Sequence, residues 1–249
     1  MTDKARPAAR ARLPTDAPHA ARARLPADAP HAARARLPVD ADRTALARLP
    51  LDAQLVALRE ILARNEILGE VVRRAAGLGL PGWYVTAGCV FQTVWNVVTG
   101  RPPTRGIRDY DLFYHDASDL SWDAEDAVIR RGREVFAGLP AEVEIRNEAR
   151  VHLWYEAKFG VPCAPYPSSE AAIDSFAATT CCVGVRAGEG EGPWRVYAPH
   201  GLADVFGLVL RPNPVLAPRE VYEAKAARWR EVWPELRVLE WGGGGALDG

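Results

Sequence analysis

From Leu51 to about Ala76, apolar residues recur at helical spacing: Leu55, Leu58, Ile61 and Leu62, then Leu68, Val71 and Val72. One stripe at this period predicts a single long helix, ended by Gly77, Gly79 and Leu80-Pro81-Gly82. Trp83–Thr86 is aromatic and β-branched, which predicts a short buried strand. Ala87-Gly88-Cys89 turns the chain into a helix with Val90, Val94, Val97 and Val98 inward. A polar loop, Thr99–Gly106, precedes a second strand over Ile107–Tyr114. Ser121 predicts an N-cap, with Asp123 and Glu125 in the first turn of a helix reaching toward Leu139. Glu142–Arg146 alternates charged and apolar residues, the mark of a strand with two different faces. Val151, Trp154, Tyr155 and Phe159 fit a short helix, and another is expected near Ser169–Phe176. Ala178–Arg186 and Trp194–Tyr197 predict a hairpin. Pro218 opens a last long helix reaching Trp233. Interleaved strands and helices define an α/β (α+β) class with a small mixed sheet.

The first 50 residues break this pattern. They hold 16 Ala, 7 Pro and no aromatic residue, with 10 basic against 5 acidic side chains. Three repeats of twelve residues run over Ala9–Ala20, Ala21–Ala32 and Ala33–Thr44. Each offers one Leu to bury and interrupts itself with Pro, too little apolar surface to offset ordering entropy. Residues 1–50 are therefore read as a low-complexity, disordered tail, residues 51–241 as the folded domain and residues 242–249 as a flexible Gly-rich end. The Arg of the tail could touch nucleic acid weakly; a neutral expansion of the coding sequence explains the repeats equally well.

The whole chain of 249 residues has a formal charge of −1, without the basic excess of a dedicated nucleic-acid binder. No apolar run is long enough for a membrane span, and no apolar segment near the start suits a secretory signal. Four Cys with two adjacent (Cys181, Cys182) form neither a disulfide framework nor a CxxC metal pattern. A reducing cytoplasm is the expected setting.

Chemistry concentrates in the strand, Gly turn, helix and Asp109-Tyr110-Asp111 series. Side chains two apart on a strand share a face, so Asp109 and Asp111 should stand side by side. Two ionised carboxylates at that spacing repel unless a cation sits between them, and oxygen-only ligands suit Mg²⁺ or Mn²⁺. Free N–H groups at Gly88 would seat a phosphate. Glu144, on the next predicted strand, is the candidate third carboxylate, with Glu142 as runner-up. For all of these the plain alternative is a solvated carboxylate at a sheet edge. Arg105 and Arg108 either hold phosphate oxygens or form a basic surface loop. Arg146 shares the face of Glu144 and could simply pair with it. Cys89, at a helix start, is expected to have a lowered thiol pKa. His152 reads as a satisfied structural histidine, and Trp95, Trp154 and Tyr155 as core before base-stacking residues.

Three segments carry a family resemblance: AGCVFQTVWN (Ala87–Asn96), IRDYDLFYHDASDLSWDAED (Ile107–Asp126) and VEIRNEARVHLWYEAKFG (Val143–Gly160). With them the chain resembles the DNA polymerase β-like nucleotidyltransferase superfamily, and within it a group of uncharacterised bacterial nucleotidyltransferases. The resemblance implies a small mixed sheet with flanking helices. It implies catalytic, metal-binding carboxylates at Asp109, Asp111 and Glu144, with Mg²⁺ or Mn²⁺ as cofactor. It places the nucleotide contact at the turn of Gly88; the residues themselves add Cys89, Arg105 and Arg108 as nucleotide-binding candidates. The implied reaction moves a nucleoside monophosphate from an NTP, ATP among them, to a small-molecule, RNA or protein acceptor. A weak or inactive nucleotide- or partner-binding protein of the same fold is the alternative. The superfamily favours Gly-Ser or Gly-Gly at the turn, where this chain has Gly88-Cys89. The nineteen residues between Cys89 and Asp109 exceed the usual gap, marking Thr99–Gly106 as an inserted loop. His200-Gly201 and Asp204 resemble a closing element of the same family, with no role that chemistry assigns.

Overall fold

The computed structural model describes residues 42–188 and 194–242. Most of the repeat tail, the tip of the expected hairpin and the Gly-rich end lie outside these residues. Helix α1 (Arg43–Arg48) is capped by Asp42, whose carboxylate accepts from the Thr44 N–H at 3.0 Å. Leu46 is buried, and Gln54 donates to the carbonyls of Leu46 and Ala47. The last part of the stretch read as tail is thus folded: the decayed repeat supplies an apolar anchor, Leu46, where its predecessors have Arg10, Arg22 and Arg34.

The long helix expected over residues 51–76 is two, α2 (Leu51–Leu62) and α3 (Glu66–Ala76). Asn65 divides them. It accepts from the Leu68 N–H at 3.0 Å and donates to Thr93 Oγ1 at 2.8 Å while fully enclosed. Asn is a favoured N-cap; the apolar stripe resumes in phase after the break, which is why periodicity hides it.

Strand β1 (Tyr84–Thr86), α4 (Gly88–Val98) and β2 (Asp109–Tyr114) follow, then α5 (Trp122–Val135) and β3 (Glu142–Asn147). Ser121 Oγ caps α5 by accepting from the Ala124 N–H at 3.2 Å. A 3-10 turn (Glu148–Leu153), α6 (Tyr155–Phe159) and α7 (Ser169–Asp174) lead to a second 3-10 turn (Thr179–Cys181). The chain ends through β4 (Gly184–Arg186), β5 (Arg195–Tyr197), α8 (Ala203–Phe206), β6 (Val209–Leu210), α9 (Arg219–Val232) and β7 (Arg237–Val238). The expected hairpin keeps only its inner part; the strand predicted from Ala178 starts at Gly184, because Thr179–Cys181 coils instead.

Five strands form one mixed sheet in the order β3-β2-β1-β4-β5, with β2 and β3 parallel and the other pairs antiparallel. A separate parallel pair joins β6 to β7. Helix α5 makes the crossover that a parallel pair requires. It lies so close to β3 that a Cβ on Gly132 would overlap Ile145 Cδ1. Tyr110, Leu112 and Tyr114 enter the main core with Val85, Leu58, Leu62, Leu68 and Phe91. Each such burial contributes roughly 1.5–3 kcal/mol.

Helix α9 docks on α4 through aromatic rings. Phe91 lies 5.1 Å from Trp229 and Trp95 5.3 Å from Trp233, centroid to centroid. Asn96 joins the same region to the loop before β2. Its Nδ2 donates to the carbonyls of Pro103 and Arg105 at 3.0 and 2.8 Å, and its Oδ1 accepts from Trp233 Nε1 at 3.0 Å. The expected polar insertion is therefore tied down from beneath.

Candidate active site

The strand register builds the site. Gly184, Thr86, Asp111 and Glu144 stand opposite one another across β4, β1, β2 and β3. Asp109 stands opposite Glu142 in the next hydrogen-bonded row but one. Along β2, Asp109, Asp111 and Phe113 alternate with the buried Tyr110, Leu112 and Tyr114, so the two aspartates share a face as their spacing predicts. A small apolar cluster of Tyr84, Ile173 and Cys182 backs that face, and Phe113 packs against it.

Crowding shows in the protonation of Asp111, whose carboxyl is pushed up to about 7. Burial is the largest cause, followed by the charges of Asp109 and Glu144; Lys225 and Arg146 partly offset them. Glu148, just past β3 and enclosed, is pushed up to about 8 by burial and by Asp111. Glu144 itself is held by Arg146, Nη2 to Oε1 at 2.5 Å, the pairing their shared face allowed. Glu142 is exposed. Among the described residues, no three His, Cys, Asp or Glu side chains gather into a metal-ligating cluster. The oxygen-only pair Asp109 and Asp111, with Asp111 destabilised as an anion by its neighbours, does fit a hard divalent cation. Glu144 would join it only by leaving Arg146.

Beside the carboxylates, α4 begins at Gly88. Ala87 precedes it at φ 58 and ψ −137, with no side-chain cap for the helix. Non-glycine residues rarely occupy such backbone, at a cost of about 1–3 kcal/mol. The first N–H groups of the helix lack intrahelical acceptors and form a positive end. Cys89 departs from expectation. Its thiol is fully enclosed and points back to the Thr86 carbonyl at 3.1 Å. Burial, then the charge of Asp111, holds it well above its ordinary value, reversing the expected lowering. What Cys89 offers a phosphate is its backbone N–H, not its sulfur.

A cavity of about 330 Å³ opens between the start of α4, the chain entering β2, and α9. Gly88, Arg108 and Asp109 line it, together with Gln92, Arg228 and Trp229. Arg105 is exposed and does not line it. The α9 wall lies beyond the reach of the sequence pattern: Arg228 and Trp229 are more than a hundred residues from Asp111, and in the sequence they fit an ordinary helix. Trp95 is core, its Nε1 donating to the Val205 carbonyl at 3.1 Å. Tyr155 is buried as expected, but Trp154 is exposed, not core, with Lys158 over its ring. His152 keeps Nδ1 buried with no partner among the described residues, so it is not the satisfied histidine expected. Asp204 pairs with Arg211 at 2.7 Å, a structural role for that segment.

A mixed sheet with a helix rising from a Gly turn beside paired strand carboxylates defines a nucleotidyltransferase-like fold. The chain belongs to the family described as Nucleotidyltransferase, whose model matches residues 73–238. It is also similar to a protein whose NMR structure reveals a CCA-adding enzyme head domain. That likeness has a TM-score of 0.60 at 25% identity, over 73% of this chain and 95% of that one. None of the curated proteins matches. Among the described residues, no helix is long and apolar enough to cross a membrane.

Proposed function

We propose that this chain transfers a nucleoside monophosphate from an NTP to an acceptor, with Asp109 and Asp111 as the catalytic carboxylates. The supporting observation is that Asp109 and Asp111 share one face of β2, with Glu144 in register opposite Asp111, beside the open start of α4. Asp109 and Asp111 would hold Mg²⁺ or Mn²⁺, and Glu144 would join them when Arg146 releases it. The bound cation would offset charge on the phosphate oxygens. The N–H groups of Gly88 and Cys89 hold the β- and γ-phosphates, and Arg108, at the cavity rim, adds a charge-assisted contact. Glu144 accepts the proton of the attacking hydroxyl. The acceptor is a small molecule, an RNA or a protein. The working domain would be residues 51–241 together with α1, in a reducing cytoplasm, with the repeats before α1 dispensable.

A second reading is a nucleotide-binding protein without turnover. The grip of Arg146 on Glu144 and the enclosed Cys89 thiol favour it. One experiment separates the two. NTP consumption with Mg²⁺ or Mn²⁺ is measured against mixed metabolites, RNA and protein, alongside metal calorimetry. Turnover lost in Asp109→Asn and Asp111→Asn, with the fold retained, supports transfer. Metal and NTP binding without consumption supports the second reading. If neither variant changes metal binding, the carboxylates are structural.

A further inference from the structure

Two side chains of the cavity wall carry buried polar atoms with no partner among the described residues, Gln92 Oε1 and Trp229 Nε1. Gln92 is 6% exposed and Trp229 5%, and both line the space that starts at Gly88 and Asp109. Buried polar atoms are paired in the great majority of cases, so each exception asks for an explanation. Trp229 packs edge-on in the aromatic cluster with Phe91 and Trp95. Its neighbours Trp95 and Trp233 both donate, to the Val205 carbonyl at 3.1 Å and to Asn96 Oδ1 at 3.0 Å. The position of Gln92 is not incidental. A Cβ on Gly88 would come within 2.8 Å of Gln92 Nε2, so the glycine leaves room for the amide to lie over the helix start.

We propose that Gln92 and Trp229 recognise the nucleoside part of the triphosphate, Trp229 donating one hydrogen bond and Gln92 accepting another. This rests on the nucleotidyl-transfer reading above and names which part of the substrate enters the cavity. The matching group is neutral and presents an acceptor and a donor together, as a base edge or a ribose hydroxyl does. An ionised phosphate only accepts and cannot satisfy Gln92 Oε1. Ile107, Val232 and Trp233 complete the walls beside Arg228, apolar surface on which a flat ring can lie. The ionic end of the substrate keeps to Gly88, Arg108 and the carboxylates.

The test compares dissociation constants for ATP, GTP, CTP and UTP with those for inorganic tripolyphosphate, all with Mg²⁺. The full-length chain is used as wild type, Trp229→Phe and Gln92→Met. The phenyl ring removes the indole donor, and methionine removes the amide at similar length. Wild type should bind at least one NTP more tightly than tripolyphosphate. Each variant should weaken that NTP roughly tenfold and leave tripolyphosphate within about twofold. Gln92→Met should melt no lower than wild type, because an unpartnered buried amide has gone; this keeps the test valid if Trp229→Phe loosens the aromatic cluster. Unchanged NTP affinity in both variants overturns the proposal. So does an equal loss for NTP and tripolyphosphate, which would place an overturned Gln92 amide on the phosphates. A wild type that binds neither probe removes the nucleotidyl-transfer reading itself. A wild type that binds tripolyphosphate as well as any NTP removes only this inference.

Discussion

Replacing Asp111 with Asn should abolish turnover and at the same time stabilise the protein, by an amount that depends on pH. The Asp111 carboxyl is moved from 3.8 to about 7, first by burial and then by Asp109 and Glu144. With a raised native pKa, the folded chain keeps a proton that the unfolded chain has lost. Stability is therefore full below about pH 4, falls as pH rises, and levels off above about 7. At ~1.4 kcal/mol per pH unit, a shift of three units costs about 4 kcal/mol above pH 7, of which roughly 1.5 is already lost at pH 5. Asparagine carries no such cost. The advantage of Asp111→Asn over wild type should grow by about 2.5 kcal/mol between pH 5 and pH 8. Glu148, pushed up to about 8, gives the same direction of slope in both proteins and largely cancels. Urea unfolding in EDTA at the two pH values measures the difference. Added Mg²⁺ should then narrow it, since a ligand of the native wild type alone stabilises the wild type. An Asn variant destabilised equally at both pH values would refute the account of Asp111 as a crowded, buried anion.

Three further outcomes are expected. Glu125 forms an enclosed ion pair with Arg150 and accepts from the Asn147 N–H at 2.9 Å, so Glu125→Ala should lose roughly 3–5 kcal/mol in chemical denaturation by stranding the guanidinium; a loss below about 1 kcal/mol would mean Arg150 finds another partner. Asn96→Ala leaves two loop carbonyls and the Trp233 indole unpaired, which should cost about 2–4 kcal/mol and speed amide exchange across residues 99–106, whereas unaltered exchange would show that the loop holds itself. Gly88→Ala should shift melting little, because the atom it meets is the end of a flexible side chain, but should weaken tripolyphosphate binding severalfold; full binding would remove the phosphate seat from the start of α4.

What could be read in the sequence was local. The Asp109–Asp111 face, the Ser121 cap and the strand–turn–helix at Gly88 each depend on residues a few positions apart, where period and propensity decide. Glu144 could be placed on the next strand, but not its register opposite Asp111, which is set where β2 and β3 pair after the α5 crossover. The break at Asn65 was hidden because the apolar stripe on either side stays in phase. Cys89 was misjudged for a different reason: a helix start lowers a thiol only when the sulfur faces outward, and this one faces the Thr86 carbonyl. The wall made by Gln92, Arg228 and Trp229 was illegible because it depends on α9 folding back on α4. In sequence, Trp229 is one more large residue on a helix face.

Strand β3 ends the sheet, and its residues Glu142, Glu144 and Arg146 put alternating charge along that last strand. An end strand is a template on which another chain can extend the sheet, and charge is the usual deterrent. Here the carboxylate that could complete the site is also part of that deterrent. A double Glu142→Gln, Glu144→Gln variant, made to silence chemistry, would leave a flat polar strand between Val143 and Ile145. Its molecules would then join edge to edge, and loss of activity in such a sample would report on association as well as on catalysis.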